Sequence, residues 1–132
     1  MTTVRAPRVD RVAALRRAIE GLVRDTDAGM AAELVELWLE GVDARLATLA
    51  AATDASALGR AAHALKGQSC LFGLDGVTGA CEDLEARQRA GEEILGASQS
   101  EAVAREVEAI RAALFAELEA LRAQPTDGGE TW

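Results

Sequence analysis

The chain has 132 residues, enough for one domain with a continuous core. Apolar residues make up 49% but aromatic residues only 3%, so alanine, leucine and valine must do the packing. A net charge of −8 and a pI near 4.7 exclude the basic patch by which proteins hold nucleic acid, and argue against docking on anionic lipid. No apolar run approaches the roughly 20 residues that span a bilayer. The N-terminal MTTVRAPRVDR has no apolar stretch of the secretory kind, so a cytoplasmic location is expected. Cys70 and Cys81 form no CxxC pair. With a single histidine in the chain, N/S ligands are too few for a zinc site, and the cysteines read as reduced thiols.

Spacing and capping residues predict five helices. The first runs from about Arg8 to Val23, with Val12, Leu15, Ile19 and Leu22 at steps of three and four. Asp25, Thr26 and Asp27 offer N-cap chemistry for a second helix, roughly Ala28 to Ala52. Its apolar stripe is Leu34, Leu37 or Trp38, Val42, Leu46 and Leu49. Thr53 and Asp54 cap a third helix that runs to about Phe72, where Gly73 is placed to end it in the left-handed conformation. Asp75 is expected to cap a fourth helix through Arg89, with Val77, Cys81 and Leu84 inward. A loop from Gly91 to Ala97 follows. Ser98 with Glu101 has the capping-box spacing for a fifth helix, which carries Val103, Val107, Ile110, Leu114, Leu118 and Leu121. Residues 125–132 read as a disordered tail beyond a domain spanning 1–124. Short connections between long amphipathic helices predict an all-α fold, an up-and-down antiparallel four-helix bundle with an additional N-terminal helix.

On a wheel of the third helix, Leu58, Ala62, Leu65, Ser69 and Phe72 share one arc, and His63 falls roughly 140° from Leu58. The only histidine therefore faces outward, beside Ser56, Gly59, Arg60, Lys66, Gly67 and Cys70. Gly59 and Gly67 flank it one turn before and one turn after. Each interior glycine weakens a helix by about 1 kcal/mol relative to alanine, so two of them suggest that something must approach the imidazole. Lys66 offers a positive charge on the adjoining face. A surface histidine beside incidental glycines fits the wheel equally well.

Read as a whole, His63-Ala-Leu-Lys66-Gly67, with Gly73 ten residues after the histidine, resembles the signature of the histidine-containing phosphotransfer (HPt) family. The likeness is densest from Arg60 to Glu85. It implies a four-helix bundle in which His63 accepts a phosphoryl group and passes it to or from an aspartate of a response-regulator receiver domain. It further implies that Lys66 stabilises the phosphoryl oxygens, that Gly67 leaves the partner room, and that Glu85 hydrogen-bonds the second imidazole nitrogen. Gln68 stands where a small residue is more usual in the family and is expected to bear on the site. Gly59, Arg60, Cys70 and Leu71 are the expected partner contacts, with part of the second helix. Arg87 can add positive charge, whereas Glu82 and Asp83 can repel phosphate.

The resemblance implies a phosphoryl carrier with no cofactor of its own, Mg2+ being brought by the partner receiver domain. The expected partners are receiver domains and a histidine kinase, with no nucleic acid and no membrane. The sequence has no P-loop and no kinase signature, so it is not expected to be an enzyme that uses ATP. Helical faces taken up by one core predict a monomer. Two alternatives stand beside this reading. The segment from His63 to Glu92 is also similar to the phosphoacceptor domain of chemotaxis-type histidine kinases, in which a separate domain supplies ATP. In the other, the bundle is a docking module that is never phosphorylated. A metal-binding bundle would need Glu-x-x-His pairs, which are missing, and Glu33, Glu36 and Glu40 read as a solvated acidic face.

Overall fold

The computed structural model describes residues 8–91, 93 and 96–124. Every regular element among them is helical: α1 (Arg8–Asp25), α2 (Ala28–Ala50), α3 (Ala55–Cys70), α4 (Asp75–Arg89), the single turn α5 (Gly96–Gln99) and α6 (Glu101–Ala123). Helices α2, α3, α4 and α6 form the antiparallel four-helix bundle, and α1 is the additional N-terminal helix, packed on α2, α4 and α6. The expected tail, 125–132, lies outside the described residues.

Capping explains two of the helix starts. Asp27 begins α2 in an extended conformation and its carboxylate accepts from the Met30 N–H at 2.8 Å. Asp54 does the same for α3, accepting from Ala57 at 2.8 Å. Two other expected caps differ. Leu74, not Asp75, precedes α4, and Asp75 is its first residue, where its charge faces the positive end of the helix. The Ser98–Glu101 capping box does not form, because α5 makes a separate turn across the end of the expected loop and through Ser98, and α6 starts only after Ser100. Ser100 itself has helical rather than extended backbone (φ −75°, ψ −14°) and makes no side-chain cap. Helices α2 and α3 each stop two residues early, at Ala50 and Cys70.

The α3 terminus is a Schellman turn: Leu74 N–H donates to Ser69 O at 3.3 Å and Gly73 N–H to Cys70 O at 3.2 Å. Gly73 has φ +62°, and a Cβ there would lie 3.0 Å from the Ala14 carbonyl oxygen and 3.1 Å from the Ala18 Cβ of α1. Glycine is required twice over, for the left-handed backbone and for the approach of α1.

The core lies on the expected faces: Leu58, Ala62, Leu65 and Ser69 of α3, Val77, Cys81 and Leu84 of α4, and all six apolar positions of α6 are buried. In α2 the choice between neighbours falls to Trp38, which is buried while Leu37 stands 61% exposed. The Trp38 indole N–H donates to Ser69 Oγ at 3.4 Å, and that hydroxyl donates to Leu65 O at 2.7 Å. The one polar side chain on the inner face of α3 is thereby satisfied, and it ties α2 to α3.

Candidate functional site

His63 lies on α3 opposite Leu58 and Leu65, with its side chain 73% exposed. Helix α4 runs alongside and brings Glu85 up to it: His63 Nδ1 is 3.4 Å from Glu85 Oε2, a long contact. The other oxygen of the same carboxylate, Oε1, is 2.7 Å from Lys66 Nζ. Glu85 is only 14% exposed and Lys66 24%, so the carboxylate is set into the α3–α4 seam with a cation and an imidazole on its two oxygens.

The electrostatics follow from that sharing. The Lys66 ammonium, more than the His63 imidazole, holds the Glu85 carboxyl below its ordinary range, although burial acts the other way. In return, the hydrogen bond to Glu85 raises the Lys66 ammonium above its ordinary value against the opposing effect of burial. The arrangement thus keeps a full negative charge behind Nδ1 of an exposed imidazole, whose Nε2 is the ring nitrogen not turned to Glu85.

The two glycines that flank His63 differ in their surroundings. At Gly67 an added Cβ would meet nothing within 4 Å, so nothing in the described fold requires glycine there. At Gly59 an added Cβ would lie 3.2 Å from Gln88 Oε1 of α4, so the missing side chain makes room for a neighbour within the chain. Arg60 is exposed and its guanidinium donates to Ser56 Oγ one turn earlier. Gln68, Cys70 and Leu71 are exposed on the C-terminal half of α3. Glu82, Asp83 and Arg87 line the outer side of α4. Of the acidic face on α2, Glu33 and Glu40 are exposed while Glu36 pairs with Arg122 of α6.

Next to Gly67 the structure has a groove of about 200 Å³ between α2 and α3. Leu34, Leu37, Gln68 and Leu71 line it, and Trp38 and Phe72 are buried beneath. The sequence puts Leu34 on the core stripe and leaves Leu37 or Trp38 open beside it, and it gives no role to Gln88 or Arg45. The available signals were the adjacent candidates Leu37 and Trp38, which cannot both point inward, and Gln88 standing one turn beyond Glu85.

The Hpt domain family model matches residues 33–124, more than half of the chain. The chain belongs to the Hpt domain family. Hpt domains serve histidine phosphotransfer in two-component signalling and interact with histidine kinases and response regulators. The match begins within α2 and extends through α6, which leaves α1 outside it. Comparison with curated proteins and with solved structures gave no match. No described helix is long and apolar enough to cross a membrane.

Proposed function

We propose that His63 is the phosphoacceptor of a phosphorelay carrier, receiving a phosphoryl group from the aspartyl phosphate of one receiver domain and returning it to another. The observation that carries this reading is an exposed imidazole, the only one in the sequence, with a partly buried carboxylate set behind its Nδ1. The Glu85 carboxylate accepts a hydrogen bond from Nδ1–H, which fixes the tautomer and leaves the Nε2 lone pair facing outward. Nε2 attacks phosphorus in line, the N–P bond forms, the P–O bond to aspartate breaks, and the carboxylate departs with its electron pair. Lys66 turns from Glu85 to the phosphoryl oxygens as charge gathers there. Magnesium and the acidic pocket belong to the receiver, so the chain contributes a positioned nucleophile and one cation.

The receiver seats on α3 where Gly67 leaves the helix surface bare, and its apolar residues cover Leu37 and Leu71 across the α2–α3 groove. The bundle acts as a monomer in the cytoplasm.

The test is to incubate the protein and its His63→Gln variant with a phosphorylated receiver domain or a broad-specificity histidine kinase, then assay acid-labile, base-stable phosphate. Label on the wild type alone supports the carrier; no label from any of several donors favours the docking module. A Gly67→Arg variant should keep its fold, because the position is open, and should lose receiver binding. Full binding by that variant would rule out the proposed seat.

A further inference from the structure

The α2–α3 groove contains a cation that the transfer step described above does not use. Arg45 lies on α2 and its guanidinium folds back over Gly41, where an added Cβ would sit 2.9 Å from Arg45 Cζ. An interior glycine weakens a helix, and at this position it makes space for the guanidinium. Arg45 lines the groove together with Leu34, Leu37, Gly67 and Leu71. Its Nη1 is buried and has no hydrogen-bond partner among the described residues.

Acidic residues outnumber Lys and Arg by 22 to 14 in this chain, so carboxylates are in excess over the cations that could pair with them. Other arginines at helix seams have found a carboxylate: Arg11 with Glu106 at 2.6 Å, Arg16 with Glu117 at 3.2 Å, and Arg111 with Asp43 at 2.8 Å. Arg45 makes no ion pair with any described residue. A buried donor on a charged group carries an uncompensated desolvation cost until an acceptor reaches it. Arg45 lines the groove with Gly67, which stands one turn after His63 on α3, so the groove is where an acceptor can meet the guanidinium.

We propose that Arg45 is a specificity-determining contact: the docked receiver places a carboxylate side chain, Asp or Glu, in the α2–α3 groove, where it accepts hydrogen bonds from the guanidinium. This rests on the phosphotransfer reading. It distinguishes receivers by whether they bring an acid to that point. A receiver with an apolar residue there leaves the guanidinium unpaired, and one with a lysine or arginine is repelled.

A panel of purified receiver domains would be ranked by the rate at which each takes phosphate from the full chain phosphorylated on His63. The fastest would then be titrated against wild type, Arg45→Met and Arg45→Lys at low and high salt. Methionine keeps most of the buried stem, so circular dichroism and thermal melting should stay near wild type. Arg45→Met should raise KM for the receiver by about tenfold with kcat little changed. Arg45→Lys should recover part of the loss, and wild-type KM should climb more steeply with salt than that of Arg45→Met. A wild-type KM for Arg45→Met overturns the proposal, as does a loss with unaltered salt dependence, which would mean packing alone. If no receiver takes phosphate from the wild type, the phosphotransfer reading falls and this inference falls with it.

Discussion

Glu85 has two neighbours that make different demands on one carboxylate, and the difference can be measured. Lys66 at 2.7 Å needs its charge, whereas the imidazole at 3.4 Å needs an acceptor for the Nδ1 proton. A Glu85→Gln variant keeps an oxygen acceptor and discards the charge. Phosphotransfer should slow by roughly tenfold to a hundredfold, and the chain should still label on His63. Stability follows from the same pair. A carboxyl held below its ordinary range stabilises the fold above its unfolded pKa, and that contribution is lost as pH falls through the depressed folded value. A raised ammonium stabilises below its unfolded pKa and is lost as pH rises through the folded value. Thermal melting of wild type should therefore weaken below about pH 5 and again in strong alkali, and Glu85→Gln should flatten both limbs. Identical pH profiles for the two proteins would show that the ion pair is too solvated to matter. At this scale the sequence was legible in part. The outward direction of His63 follows from the α3 wheel alone, but Glu85 was picked out by family resemblance, since no spacing rule says which residue of α4 will face a given residue of α3. Gln88 over Gly59 was illegible for the same reason, since it depends on how side chains settle between packed helices, whereas Arg45 and Gly41 stand one turn apart on α2 and only the fold of the guanidinium over the glycine was hidden.

Helices α3 and α4 are joined by a turn that is tightly constrained. Gly73 satisfies the last carbonyls of α3 and lets the backbone of α1 touch the turn. Gly73→Ala would place a Cβ at positive φ and against the Ala14 carbonyl. The expected cost is about 1–3 kcal/mol, read as a lower midpoint in urea unfolding. Gly67→Ala, in open space on the same helix, should instead be neutral or stabilising by up to about 1 kcal/mol. A reversal of that order would mean that the turn tolerates a side chain. The glycine ending α3 could be read from the sequence because left-handed termini have a residue signature, and Asp27 and Asp54 could be read because capping does too. The α6 start was misread because Ser98 and Glu101 have the right spacing in a segment that turns twice. Capping rules describe one helix entry and cannot see an intervening turn. Trp38 and Leu37 stayed ambiguous because adjacent positions straddle one stripe, and the partner that the buried indole N–H finds, Ser69 Oγ, lies on another helix.

Over the whole molecule, the additional helix α1 lies outside the family match yet is built into the core. Leu15 and Ile19 are buried, and Arg11 meets Glu106 of α6 where Gly76 leaves α4 without a side chain. Leu15→Ala should cost about 2–5 kcal/mol and leave a single cooperative melt, because α1 shares its core with α2, α4 and α6. Two separate transitions in calorimetry would show α1 to be an appendage. The four-helix architecture was legible because each helix has one apolar face and short connections force antiparallel neighbours. The site occupies little of this architecture: His63, Lys66 and Glu85 all sit on the single hairpin of α3 and α4, with only residues 71–74 between the helices. Contacts so close along the chain close small loops and have low contact order, so they can form before the remote pairing of α1 with α6. The groups that would handle phosphate are thus joined by some of the most local tertiary contacts in the molecule, while the two helices that carry them are held in the one core shared by all the long helices.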